Sequence, residues 1–324
     1  MMRRFSLEEA TDLAARAVRG AGASDDAALS LARATVSANA HGKGSSGFSH
    51  LVDYLTALRA GRIVGDAEPA VTSPAPAAIH CDAKSGIAQL GFDRAFDDLR
   101  RRAETFGLAL FAQNGSYTTG ELGYYPRRLA EAGLVALAAT SGPALMTVAG
   151  AKTPVYCTNP IAFAAPLDEG PPLLIDQASS PTAFVELRRY AERGETLPKG
   201  WAVDADGQPT TDPHAALRGA LLAFGGARGT NIALMVEVMA AGLSGANWAL
   251  DAPSFTSGKS SPGAGLLVIA VTPALLAPDF AQRLRLQLNR LAKLGVHIPG
   301  RRAPTAEIEL PDALVAEIER TWAS

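Results

Sequence analysis

Gly42, Gly44 and Gly47 fall at the spacing of a dinucleotide-binding glycine fingerprint, yet the residues before them argue against its usual meaning. The fingerprint works when a strand leads in and a helix opens on the glycines, so that free backbone N–H groups meet a pyrophosphate. Here residues 24–40 carry alanine and leucine at helical spacing behind Ser24, a natural cap, so a helix leads in. The ordinary doubly wound nucleotide fold is disfavoured at this loop. On the residues alone, the segment reads as a glycine-serine linker between helices or as a site of another design.

The rest of the chain alternates. Ser6-x-x-Glu9 is a capping-box pattern opening a helix that runs to about Gly20, and 48–60 reads as a third helix after the one from Ser24. Residues 69–82 turn β-like, 86–107 form an amphipathic helix, and 108–112 a strand. A helix at 123–133 leads to a strand at 134–140, with further strands near 154–163 and 172–176. Residues 182–193 are helical and carry Glu186, whereas 201–211 are polar and turn-rich. Asp204-Ala205-Asp206-Gly207 resembles the start of a calcium loop, but no glutamate follows at the twelfth position, so a hairpin turn is expected and no metal site. Residues 230–243 form an apolar helix opened by glycines, 265–271 a strand, and 278–294 and 311–322 the closing helices. This alternation gives an α/β chain whose helix-only ends pack together as one discontinuous domain. The expected division is 1–64 with 274–324 as a helical domain, 65–273 as a sheet domain, and a small helical arm at about 181–217.

Composition removes several functions. A formal charge of −2 with interspersed signs offers no basic stripe for nucleic acid. The longest apolar stretches, 133–139 and 265–271, fall far short of the about 20 residues a membrane helix needs. Met1-Met2-Arg3-Arg4 is basic, but Glu8, Glu9 and Asp12 follow where a signal peptide requires an apolar core. A cytoplasmic location is expected. Cys81 and Cys157 are too few for a disulfide framework or a zinc cage and read as reduced core residues.

Ordered motifs then carry a resemblance over nearly the whole chain. They are Ala38-Asn39-Ala40-His41-Gly42 through Ser45-Ser46-Gly47 with His50, Tyr54, Leu58, Gly61 and Ile63; Gly120 through Tyr125; Cys157 through Pro166; Ile175 through Ser180; Pro198 through Asp204; and Gly225-Gly226, Gly229 and 233–237. Together they resemble the malate/L-lactate dehydrogenase family of NAD(P)-dependent oxidoreductases, which is distinct from the Rossmann lactate dehydrogenases. The resemblance implies a mixed, largely antiparallel sheet that binds its cofactor in a non-Rossmann way, within a homodimer.

It also implies roles. The position of Ser46 is that of a histidine proton donor, Ser45 that of the serine relaying to it, and Glu186 that of the acid completing the relay. A second histidine position is Thr118, and an arginine that grips a substrate carboxylate falls on His50. With His50, Thr158 completes the substrate-binding candidates. Both active-site histidines are therefore hydroxyl residues in this chain. Reducing a ketone builds negative charge on oxygen, and a positioned acid gains roughly 10²–10⁴-fold in rate there. Serine supplies no such acid. A cyclic imine nitrogen is basic enough to enter partly protonated, so hydride can add while hydroxyls merely orient the C=N group. The double replacement thus favours ketimines over 2-oxoacids, and within the family the chain looks like the branch that reduces delta-1-pyrroline-2-carboxylate or delta-1-piperideine-2-carboxylate, giving L-proline or L-pipecolate, although the usual members of that branch keep the proton-donor histidine. An NAD(P)-dependent 2-hydroxyacid dehydrogenase and a non-catalytic dinucleotide- or ligand-binding protein are the alternatives. Taken without the resemblance, helix caps are the alternative reading of Ser45 and Ser46.

For the cofactor, Thr118, Thr119, Gly120, Glu121 and Leu122 match one lining segment and Asp176, Gln177 and Ala178 another. Gly225-Gly226 ahead of Ala227 and Arg228 opens a helix whose N–H groups suit phosphate. Arg301 and Arg302 are suited to pair an adenosine 2′-phosphate, which favours NADPH, with NADH as the other donor.

Overall fold

The computed structural model describes residues 1–148 and 150–322. Its amino-terminal part holds β1 (Met2–Ser6), α1 (Leu7–Gly20), α2 (Asp25–Ala40) and α3 (Phe48–Arg59). The middle holds β2 (Ala70–Ala75), β3 (Ala78–Asp82), α4 (Ala88–Phe106), β4 (Leu108–Ser116), α5 (Tyr124–Glu131), β5 (Val135–Thr140), β6 (Met146–Thr147), β7 (Ile161–Ala165) and β8 (Leu173–Gln177). There follow α6 (Phe184–Arg193), β9 (Ala202–Val203), β10 (Pro209–Thr210), α7 (Pro213–Arg218), β11 (Ala220–Leu222) and α8 (Ala227–Glu237). The chain closes with β12 (Ala264–Val271), α9 (Phe280–Lys293), β13 (Glu307–Pro311) and α10 (Asp312–Glu319).

The expected capping box forms: the Ser6 hydroxyl accepts from Glu9 N–H at 3.2 Å, and Ser6 N–H donates to Glu9 Oε2 at 2.8 Å. Alanines at 10, 14, 17, 27, 28 and 32 are buried where α1 meets α2, because small side chains let two helices pack closely. The ends are not helix-only, however. Strand β1 pairs antiparallel with β13, placing Phe5 opposite Ile308, and Arg4 meets Glu309 at 2.8 Å. Mostly exposed, Met2–Ser6 has little alternation of its own and is extended because a partner from the far end of the chain completes its hydrogen bonds.

The central sheet is mixed and largely antiparallel, as expected. Its order is β2-β3-β4-β12-β5-β7-β8, and of these pairs β3–β4 alone is parallel. Alternate residues serve opposite faces. Ala136 and Ala138 of β5 join Phe92, Leu99, Phe111, Tyr125 and Leu129 beneath α4 and α5, while Ala139 meets Val236 of α8 and Ala240 just beyond it. Helix α9 sets Leu284, Leu288 and Leu291 against Val135, Phe163 and Leu173. It therefore covers the sheet, and the helical domain drawn at 274–324 is corrected: from this stretch only β13 and α10 place Ile308, Leu310, Val315 and Ile318 in the core of the terminal helices.

Residues of the expected helical arm build more than helices. A second sheet, β10-β9-β11-β6, closes over Leu187, Leu197, Ala216 and Leu221. The expected hairpin turn is there: Asp204 N–H donates to Gln208 O at 2.9 Å, and Asp204 Oδ1 accepts from the N–H groups of Asp206 and Gln208. The single helix expected at 230–243 is instead α8 followed by one π-helical turn, Val238–Gly242. No described helix is long and apolar enough to cross a membrane.

Candidate active site

The loop between α2 and α3 is built around one amide. Asn39, in the last turn of α2, accepts Phe48 N–H on its Oδ1 at 2.7 Å and so satisfies the first turn of α3. A side chain at 47 is impossible in this arrangement, since a Cβ there would stand 1.8 Å from Asn39 Oδ1. Turn bonds from Ser46 N–H to Lys43 O (2.9 Å) and from Gly47 N–H to Gly44 O (3.2 Å) fix the segment between. The residue capping α3 is Gly47, with no side-chain cap, so neither serine serves as a helix cap. Among the described residues, the hydroxyls of Ser45 and Ser46 have no protein hydrogen-bond partner, and both serines line a cavity of about 600 Å³.

Four further segments wall this cavity: Gly120, Glu121 and Leu122; Thr158 and Pro160; Asp176, Gln177 and Ala178 at the end of β8; and 180–183 with Phe224. The structure thus gathers nine of the expected site residues, Ser45, Ser46, Gly120, Glu121, Leu122, Thr158, Asp176, Gln177 and Ala178, around one hollow. At Gly120 the backbone is left-handed (φ 67°), and a Cβ would come within 3.0 Å of Gln89 Nε2.

Other expected residues lie elsewhere. Thr119 is buried, its carbonyl accepting from Gln89 and Tyr125. Thr118 belongs to a network beneath the cavity wall: its carbonyl accepts from Tyr54 OH at 3.0 Å, and its Oγ1 donates to Tyr54 at 2.7 Å. Burial, only partly offset by these bonds, pushes the Tyr54 hydroxyl up to about 12. His50 Nε2 faces Thr118 Oγ1 at 3.3 Å, and its Nδ1 meets Asp53 Oδ2 at 2.8 Å. Both ring nitrogens are engaged within the protein, which leaves the expected carboxylate contact without a free N–H. Burial raises the Asp53 carboxyl, but His50 and then Arg188 outweigh it and hold it at about 2. Glu186 pairs with Arg189 at 2.9 Å, and Arg189 extends to Ser49 at 3.4 Å. The expected relay from Ser45 to Glu186 is therefore not a direct hydrogen bond here. Ala227 and Arg228 begin α8 just beyond Phe224 without lining the cavity.

A second hollow, about 560 Å³, adjoins the first, with Lys43, Glu121 and Asp176 common to both. Arg302 lines it with His41, His297 and Arg127; Arg301 is exposed outside the lining. Arg127 and Glu121 form a buried pair at 2.9 and 3.0 Å, and Arg127 also reaches Ser37 Oγ at 2.8 Å. Asp176 accepts Gly123 N–H at 3.0 Å, and burial followed by the charge of Glu121 raises its carboxyl to about 6. Sequence reasoning missed Lys43, Arg127 and Asp53. For Asp53 a signal existed, since His50-x-x-Asp53 is the spacing of helical neighbours. No local pattern pairs Arg127 with Glu121, because the turn into α5 brings them together.

These observations suit a dinucleotide: a long double hollow, bare backbone at Gly120, and cationic side chains in the outer half. Comparison with known proteins agrees. The family model described as malate/L-lactate dehydrogenase matches residues 5–311. A (2R)-3-sulfolactate dehydrogenase (NADP(+)) of Chromohalobacter salexigens is 37% identical over 98% of each chain. A delta(1)-pyrroline-2-carboxylate/delta(1)-piperideine-2-carboxylate reductase of Pseudomonas aeruginosa is 34% identical, again over 98% of each chain. Among solved structures, delta1-piperideine-2-carboxylate reductase from Pseudomonas syringae pv. tomato superposes with a TM-score of 0.88 at 34% identity, covering 99% of this chain and 95% of that one. Fold, site and matches converge, and the chain belongs to the malate/L-lactate dehydrogenase family.

Proposed function

We propose that this chain reduces a small cyclic ketimine bearing a carboxylate next to the C=N bond, delta-1-pyrroline-2-carboxylate to L-proline or its six-membered homologue to L-pipecolate, with NADPH as donor. The observation that carries the reading is the pair of unpartnered hydroxyls, Ser45 and Ser46, in a cavity with no histidine in its lining. Such hydroxyls orient a C=N group but supply no acid, which suits a substrate that arrives partly protonated. Bound NADPH supplies the hydride. Gly120 to Leu122 and Asp176 to Ala178 would hold its nicotinamide end, and Lys43 and Arg302 its phosphates, Arg302 being suited to the 2′-phosphate that separates NADPH from NADH. Thr158 contacts the substrate. Relatives named for these imines, 31–37% identical, support the choice.

The similarity to a sulfolactate dehydrogenase favours a second reading, a 2-hydroxyacid dehydrogenase. A panel of cyclic imines and 2-oxoacids with NADPH and NADH, followed by absorbance, separates the two. Imine-dependent NADPH consumption, faster on the acidic side of neutral, is expected. Turnover of 2-oxoacids alone favours the dehydrogenase, and turnover of neither favours a binding protein. Exposed Leu234, Met235, Val238, Leu243, Trp248 and Leu250 around α8 support a homodimer, which sedimentation checks. The unpaired cysteines fit a cytoplasmic location.

A further inference from the structure

Asp176 stands in the wall that the two hollows share, and it is there without a cation of its own. Glu121 and Asp176 converge on one spot: a methyl group built on Gly123 would lie 3.0 Å from Asp176 Oδ2 and 3.3 Å from Glu121 Oε1. Arg127 gives Glu121 two hydrogen bonds, both partners being buried, whereas Asp176 receives a single amide N–H and, among the described residues, forms no ion pair. Two carboxylates in one desolvated place repel, and the proton settles on the one left unpaired. The charged groups facing Asp176 are Glu121 from the 120–122 segment, Arg127 from α5 and Lys43 from the loop after α2. Across the outer hollow stand His41, Glu131, His297 and Arg302. Burial and Glu121 raise the carboxyl to about 6, against the opposing pull of Gly123 N–H, Lys43 and Arg127.

We propose that Asp176 is the proton donor of this site, passing its carboxyl proton to the imine nitrogen as the ring carbon is reduced. The inference rests on the ketimine reading above as the relatives named for these imines support it, since an acid in this wall would serve a 2-oxoacid as well. A hydride from the reduced nicotinamide forms the new C–H bond at the ring carbon, and the C=N π pair moves to nitrogen. Nitrogen takes the Asp176 proton, leaving a secondary amine and a carboxylate, which water reprotonates. Substrate that arrives unprotonated thereby becomes usable.

The test pairs ¹³C-carboxyl titration with kinetics. One aspartate resonance in the wild type titrates near pH 6 and is missing from Asp176→Asn. With saturating imine and NADPH, Asp176→Asn lowers kcat by about 10²-fold and removes the decline of kcat above pH 6. Should that variant fail to fold, Lys43→Ala, on an exposed loop, keeps the test alive: in the enzyme without cofactor, loss of the positive charge moves the carboxyl titration to higher pH. A wild type without a high-titrating aspartate overturns the proposal, as does an Asp176→Asn enzyme that matches wild-type kcat at every pH, or an unmoved carboxyl titration in cofactor-free Lys43→Ala. If the wild type turns over imine and Asp176→Asn equals it, only the proton assignment falls. If the wild type turns over no imine, the ketimine reading falls first.

Discussion

Asp53 on α3 and Asp176 on β8 are the same side chain in opposite settings. Burial raises both. Asp53 then meets His50 at 2.8 Å and Arg188 at 3.2 Å and is held at about 2, whereas Asp176 faces Glu121 and rises to about 6. The nearest charge, rather than the depth of burial, decides which way a carboxyl moves. One region is thereby a permanent ion cluster tying α3 to α6, and the other a group that changes state within the working range of pH.

The strongest way to break this contrast is to remove the cation that occupies Glu121. Arg127→Met leaves a buried carboxylate uncompensated and lowers the unfolding free energy by about 3–5 kcal/mol, read by urea denaturation. Adding Glu121→Gln to it recovers much of the loss. Next comes Asp176→Asn. A carboxyl raised from 3.8 to about 6 on folding favours the native state fully below pH 4, and that contribution is lost as pH rises through 6. The variant should therefore be more stable than wild type by about 2–3 kcal/mol above pH 6, with the gap closing towards pH 4. Asp53→Asn runs the other way. Its carboxyl is lowered from 3.8 to about 2, so its stabilisation, about 2 kcal/mol, is present above pH 4 and vanishes as pH falls through 2. Denaturation curves across pH read both signs. A neutral contact gives the baseline: Asn39→Ala removes the amide oxygen that accepts the Phe48 N–H at the start of α3 and costs about 1 kcal/mol, with no dependence on pH.

Much of this molecule is legible in its residues because the relevant patterns are short-range. Ser6-x-x-Glu9 announces α1, and the glycine-serine loop with its asparagine and histidine points to the site before any fold is known. What escapes is whatever depends on distant partners. Met2–Ser6 carries no strand pattern and is a strand because Glu307–Pro311 lies beside it. The amphipathic α9 would suit a helical bundle as well as a sheet, and only packing sends Leu288 onto Phe163 and Leu173. Asp176 and Glu121 are both readable as cofactor-side residues, but their mutual repulsion is not, since 55 positions separate them and the turn at Gly123 alone unites them. Ala227, Arg228 and Arg301, expected at the cofactor, do not reach the lining, so a motif fixes a neighbourhood rather than a contact.

The two hollows meet at a ridge of three side chains, Lys43, Glu121 and Asp176. An anion settling in the outer hollow near Lys43 offsets the ammonium that opposes Asp176 protonation, and so loads a proton at the inner one. Occupancy at one end is then felt at the other through charge alone, with no hinge and no moving lid, and by reciprocity a proton on Asp176 tightens the grip on phosphate outside.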